Sequence, residues 1–231
     1  MEYLHNGFTL ELCDGAFPLS TDSIALSGFV RLPRHAKVLD LGAGCGTLGL
    51  LLCADDPGCA VTGVEIDQNA HTIALHNIAA NNLAPRLSSI CADVRTVPSF
   101  IAPGSFHCCV SNPPYFSAGQ ESANSSARHE TLCSPEDLFA AAAWAVRYGG
   151  DFFLVHKPEK LAQLCACATA HKLEVKRLQL LRHRPGDPIS LILLQCRKGA
   201  KPGLTIEEAY LQDTAGNPSE FYRRLYHIQE V

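Results

Sequence analysis

Apolar and polar positions along this chain follow two alternating rhythms. Ala36–Leu41 is a short, mostly apolar run, and Thr47–Cys53 carries apolar residues at helical density. Ala60–Ile66 is apolar again. Residues 68–80 then place Ala70, Ile73, Ala74 and Ile78 on one helical face, with Asp67 as a helix cap. Leu87–Cys91 and Phe106–Ser111 add two more strand patterns. Pro135–Tyr148 reads as a helix stopped by Gly149-Gly150, Phe152–His156 as a strand, and Pro158–His171 as a helix. Strands alternating with helices predict an α/β fold with a mostly parallel sheet.

The rhythm changes after residue 172. Leu173–Leu181 and Ile189–Cys196 are strand patterns joined only by Arg182-His183-Arg184-Pro185-Gly186-Asp187-Pro188. Seven turn-rich residues cannot hold a crossover helix, so this last hairpin is expected to be antiparallel. Seven strands result. Residues 112–134 concentrate Asn, Ser, Gly and Pro and read as a long functional loop.

Composition narrows the class. The 231 residues suit one domain, and 47% apolar against 18% charged residues excludes a disordered chain. The longest apolar run, Leu48–Ala54, is too short to cross a bilayer, and the N-terminus lacks a secretory pattern. Eleven cysteines occur without a Cys-x-x-Cys pair, so they read as reduced, small apolar residues in a cytoplasmic protein, with no metal. Charge is uneven. Residues 155–201 hold ten Lys/Arg against Glu159, Glu174 and Asp187, on a chain of net charge −4. Such a segment marks either a polyanion-binding face or a solvated surface strip.

The candidate chemistry follows the strands. Asp40-Leu41-Gly42-Ala43-Gly44-Cys45-Gly46 spaces its glycines as G-x-G-x-G, which lets the backbone approach a ligand closely. Asp40 opposes a pyrophosphate and suits a ligand carrying an ammonium group. Glu65, followed by Ile66, ends the second strand where a carboxylate can accept two ribose hydroxyls. Asp93, followed by Val94, comes after the third strand and can accept an exocyclic amine. This series resembles the class I S-adenosylmethionine-dependent methyltransferases. The resemblance implies a Rossmann-like domain and S-adenosylmethionine as cofactor, leaving as S-adenosylhomocysteine. It implies cofactor contacts from Asp40, Leu41, Gly42, Gly44, Gly46, Glu65, Ile66, Asp93, Val94 and Asn112.

The fourth strand runs into Asn112-Pro113-Pro114-Tyr115. An amide or aminopurine nitrogen is a poor nucleophile because its lone pair is delocalised. Asn112 and the Pro113 carbonyl can accept its two protons and free that pair, on a loop stiffened by Pro113 and Pro114. Tyr115 can stack on a planar base. The motif resembles enzymes that methylate exocyclic amino groups or glutamine amides.

Other strings narrow the family. Phe17-Pro18-Leu19-Ser20-Thr21-Asp22-Ser23, Ala127-Arg128-His129-Glu130 and Leu181-Arg182-His183-Arg184 look like the bacterial methyltransferases that make N6-methyladenine beside the anticodon of a valine tRNA. That resemblance implies a tRNA substrate, held by Lys157, Lys160, Arg182, Arg184, Arg197 and Lys198 through backbone phosphates. A ribosomal RNA amino-group methyltransferase and an inactive binding module are the alternatives. The chain is expected to be one domain, with a short extension over 1–35, the core over 36–200 and a C-terminal strand and helix over 201–231.

Overall fold

The computed structural model describes residues 1–4, 6–13, 19–113 and 133–228. A small antiparallel ribbon, β1 (Glu2–Tyr3) with β2 (Thr9–Leu10), precedes helix α1 (Thr21–Phe29). The alternating core follows: β3 (Lys37–Leu41), α2 (Thr47–Asp55), β4 (Ala60–Glu65), α3 (Gln68–Ala80), β5 (Leu87–Cys91) and β6 (Phe106–Ser111). Then come α4 (Pro135–Ala145), β7 (Val146–His156), α5 (Leu161–Ala170), β8 (Leu173–Arg182) and β9 (Ile189–Lys198). The end adds β10 (Thr205–Tyr210) and α6 (Glu220–Leu225).

The main sheet has the order β10-β8-β9-β7-β6-β3-β4-β5. Strand β9 runs antiparallel between β7 and β8, and the other neighbours are parallel. The expected α/β architecture and antiparallel hairpin are therefore present. Asp67 caps α3, accepting a hydrogen bond from the Ala70 N–H at 2.8 Å. Two details differ from the pattern. The C-terminal strand expected over 201–231 is β10, and it joins the main sheet beside β8, making eight strands where seven were expected. Only Ala209 of that strand is buried, so its alternation is weak in the sequence.

The second difference lies at Val146–Tyr148, expected to be helical. Helix α4 ends at Ala145, and Val146 already pairs with Phe106 of β6. The Gly149-Gly150 pair sits inside β7 at a register shift. A Cβ at Gly150 would lie 2.5 Å from the His107 carbonyl oxygen. The glycines thus serve close strand approach, not a helix stop.

Two apolar layers sandwich the sheet. One packs α1 and α2 on Val38, Val110, Phe153 and Leu193. The other packs α4 and α5 on Leu39, Leu41, Phe152 and Leu194. Seven of the eleven free cysteines are buried, in keeping with their reading as small apolar residues. No helix among the described residues is long and apolar enough to cross a membrane.

Candidate active site at the carboxyl edge of the sheet

Strand register brings the chemistry together. Asp40 lies between Gly63 of β4 and Val110 of β6. The strand ends then deliver the Gly42 turn, Glu65 and Asn112 to one edge, where ligands of open α/β sheets bind. Ser111 fixes the junction by donating its hydroxyl to the Leu41 carbonyl at 2.7 Å, fully buried.

The glycine turn is built as expected. Gly42, Gly44 and Gly46 have φ of 76°, 54° and 83°, conformations that side-chain-bearing residues rarely adopt. No described residue lies within 4 Å of where a Cβ on Gly42 or Gly44 would project, so a ligand can approach the backbone there. Glu65 braces the turn. Its carboxylate accepts from the Gly44 N–H at 2.7 Å and the Asp67 N–H at 2.8 Å. Each oxygen keeps a further acceptor position, so a ribose diol can still be bound.

Asp40 is the strained member. It is fully buried, and its Oδ2 has no hydrogen-bond partner among the described residues. Burial, helped by the nearby Glu65 charge, pushes its carboxyl up to about 7. A buried acceptor left unmatched beside an open glycine turn fits a ligand that brings an ammonium group. Asp93 is already engaged: it caps the short turn Val94–Ser99 and holds the Arg95 guanidinium, which lowers its pKa. It still has acceptor capacity for an exocyclic amine. Ile66 is partly exposed at this edge, whereas the side chains of Leu41 and Val94 are buried in the core. Those two can meet a nucleoside only through their backbone.

Asn112 follows β6 directly. Its Nδ2 donates to Ser23 Oγ at 2.9 Å, which fixes the amide's orientation. Ser23 is buried on α1, so α1 supports the reaction loop. In the sequence Ser23 is only the last residue of the string Phe17–Ser23, with nothing in the pattern to mark it as a partner of Asn112. A buried hydroxyl in the first turn of a helix that precedes the glycine turn was the signal available. Pro113 is the last described residue here; Pro114, Tyr115 and His129 lie outside the described residues.

The six basic candidates divide between two edges. Lys157 follows β7, Lys160 ends the turn Pro158–Lys160, Arg182 ends β8 and Arg184 follows it, all at the same sheet edge as Asn112. Arg182 is held by the Asp187 carbonyl and Glu208, and Arg184 by Gln212 at 2.8 Å. Arg197 and Lys198 end the antiparallel β9 and so sit at the far edge. Arg197 forms a two-pronged pair with Asp151 at 2.9 and 3.0 Å. Lys198 donates to the Ala143 and Val146 carbonyls at the end of α4. The structure does not bring these two to the site.

Known proteins resemble this chain in sequence and in fold. A family model described as methyltransferase small domain matches residues 23–171. The tRNA1(Val) (adenine(37)-N6)-methyltransferase of Tolumonas auensis is 32% identical over 223 residues, covering 91% of this chain and 92% of its own. The protein of the same name from Aeromonas hydrophila is 31% identical and covers 80% and 78%. Among solved structures, a predicted O-methyltransferase from Agrobacterium tumefaciens superimposes with a TM-score of 0.76 at 23% identity, covering 90% of this chain and 96% of that one. At that identity the likeness establishes the fold alone. The chain belongs to the methyltransferase small-domain family and is an S-adenosylmethionine-dependent methyltransferase.

Proposed function

We propose that this enzyme methylates the exocyclic N6 of an adenine in tRNA, next to the anticodon of a valine tRNA. The observation that carries the reading is Asn112, its amide set by Ser23 at the edge that also presents Asp40 and Glu65. The names of the similar proteins from Tolumonas auensis and Aeromonas hydrophila support the substrate.

The cofactor supplies an electrophilic methyl group on a sulfonium. Everything else falls to the chain. Asp40 pairs with the ammonium, Glu65 accepts the ribose hydroxyls, Asp93 accepts the adenine amine, and Gly42, Gly44 and Gly46 let the backbone close on the ligand. Leu41, Ile66 and Val94 complete the cofactor's surroundings. Because Nδ2 of Asn112 is committed to Ser23, the amide is orientated to offer Oδ1 to the target N6 protons. The Pro113 carbonyl takes the second proton as partner, and Pro114 and Tyr115 complete a rigid platform for the base. Methylation leaves N6 cationic until one of its protons passes to solvent, and the two acceptors stabilise that developing charge, so catalysis rests on positioning and preorganised acceptors.

Lys157, Lys160, Arg182 and Arg184 line the edge on which RNA phosphates would rest. The chain works as one domain, with extensions over 1–35 and 201–231 around the core 36–200, in the cytoplasm and without a metal. The test is methyl transfer by the purified protein to valine tRNA, to other tRNAs and to ribosomal RNA, followed by nucleoside mass spectrometry. N6-methyladenosine in valine tRNA is expected; label in ribosomal RNA alone overturns the substrate.

A further inference from the structure

A second cationic centre lies away from the glycine turn. Helix α1 leads from Ser23, beside Asn112, to Phe29, about 9 Å along the helix axis. At its far end Arg31, Arg177 and Arg224 line a cavity of about 260 Å³, together with Phe29, Gln179 and Glu207. Arg177 and Gln179 project from alternate positions of β8, and Glu207 of β10 stands opposite Gln179.

This cavity holds more positive charge than its own residues neutralise. Among the described residues Glu207 is the only carboxylate lining it, 3.6 Å from Arg177. The side chains of Arg31 and Arg224 are exposed and make no hydrogen bond or ion pair among the described residues; the Arg224 guanidinium lies over the Phe221 ring, at 5.5 Å. Arg177 is stacked 4.1 Å over Phe29, and its Nη1 donates to Gln195 at 3.2 Å. Its Nε, however, is buried with no partner among the described residues. Gln179 is 7% exposed, and its Oε1 is likewise buried and without a partner among them. Burial, and then the charge of Arg31, depress the Arg177 pKa, although Glu207 and Asp151 act against them.

Guanidinium forks match the oxygens of a phosphate, and a partly desolvated fork gains most from one. A half-turn of the Gln179 amide would add Nε2 as a further donor. We infer that the cavity lined by Arg31, Arg177, Gln179 and Arg224 is a phosphate-binding subsite that grips the backbone of the RNA substrate a few nucleotides from the target adenine. The inference rests on the RNA reading above for the source of the phosphate, not for the site itself. Arg177 lies within the basic segment of the sequence, but neither Arg31 nor Arg224 does, so charge runs alone do not reveal the cluster.

The test uses the full chain and the double variant Arg31→Gln/Arg224→Gln, both exposed positions that tolerate exchange. tRNA affinity is measured over a salt series, single-turnover methylation at saturating tRNA, and binding of inorganic phosphate by 31P NMR. The variant is expected to bind tRNA about 10- to 100-fold more weakly at low salt. The slope of log affinity against log salt should fall by about 1–2. The saturated rate and the cofactor affinity should stay unchanged. Arg31→Lys/Arg224→Lys should keep most of the salt slope and lose part of the affinity. Unchanged tRNA affinity and slope in the glutamine variant, with wild-type methylation of tRNA intact, overturns the subsite and leaves the function standing. If the wild type neither binds nor methylates tRNA but loses phosphate binding with the two arginines, the RNA source falls and the phosphate site stands. Loss of neither phosphate nor tRNA binding overturns the inference entirely.

Discussion

Asp40 carries the clearest conflict between stability and function. Its carboxyl is buried, lacks a partner at Oδ2 and is pushed up to about 7. The native state therefore holds that proton to higher pH than the unfolded chain does. The penalty is absent below pH about 4, grows as pH rises, and is complete above pH about 7. Asp40→Asn should raise stability at pH 8 by on the order of 2–4 kcal/mol and flatten the fall between pH 4 and 7. It should also weaken S-adenosylmethionine binding. Thermal melts across pH, with calorimetric titration, check both; unchanged melting and unchanged affinity would remove Asp40 from the account. Ser23 is a positioning residue. Ser23→Ala should lower kcat several-fold to tens-fold while leaving KM for tRNA near its wild-type value. Ser23→Thr, which keeps the hydroxyl, should rescue part of that loss. Equal loss in both variants would mean that Ser23 only packs.

At the scale of elements, the last helix is tied to the first. Leu225 of α6 is buried against α1, and a Cβ on Gly28 would lie 2.2 Å from its Cδ2. Leu225→Ala should cost about 2–4 kcal/mol in a denaturant titration. A loss below ~0.5 kcal/mol would show that α6 adds little to the fold. The basic candidates differ by strand end. Arg182→Gln/Arg184→Gln should reduce the salt slope of tRNA binding, whereas Arg197→Gln should leave it unchanged. Arg197→Gln should instead cost about 0.5–1 kcal/mol of stability, a modest figure because the arginine is half-exposed. The strands that build the site are legible because their apolar runs and acidic ends coincide; Asp67 is legible because capping is local. That the C-terminal strand β10 joins the main sheet is not, because an edge strand with one buried residue has almost no pattern to mark its neighbour. Gly149-Gly150 misleads because the requirement there is tertiary, the approach of the His107 carbonyl.

For the whole molecule, the sheet order places two kinds of charge at different ends of one scaffold. The acids Asp40, Glu65 and Asp93 stand at the ends of β3, β4 and β5, a nucleoside-shaped row. The cations at the Asn112 edge stand after β7 and β8, on the other side of β6. On the proposed reading cofactor and RNA approach from either flank of Asn112, and the cationic flank was visible in the sequence as the basic segment 155–201 on a chain of net negative charge. The partner of Asn112 and the end of the sheet to which each cation belongs were not, since both depend on how distant strands pair. The central claim is that Asn112 acts on an adenine N6 in tRNA at the junction of the two flanks. Single-turnover methyl transfer to valine tRNA, read as N6-methyladenosine by nucleoside mass spectrometry, tests it in wild type and Asn112→Ala. Loss of one preorganised acceptor should slow the step by about 10²–10³, with S-adenosylmethionine and tRNA affinities nearly unchanged. Near-normal rates in Asn112→Ala, or a methylated product other than N6-methyladenosine, would contradict the account.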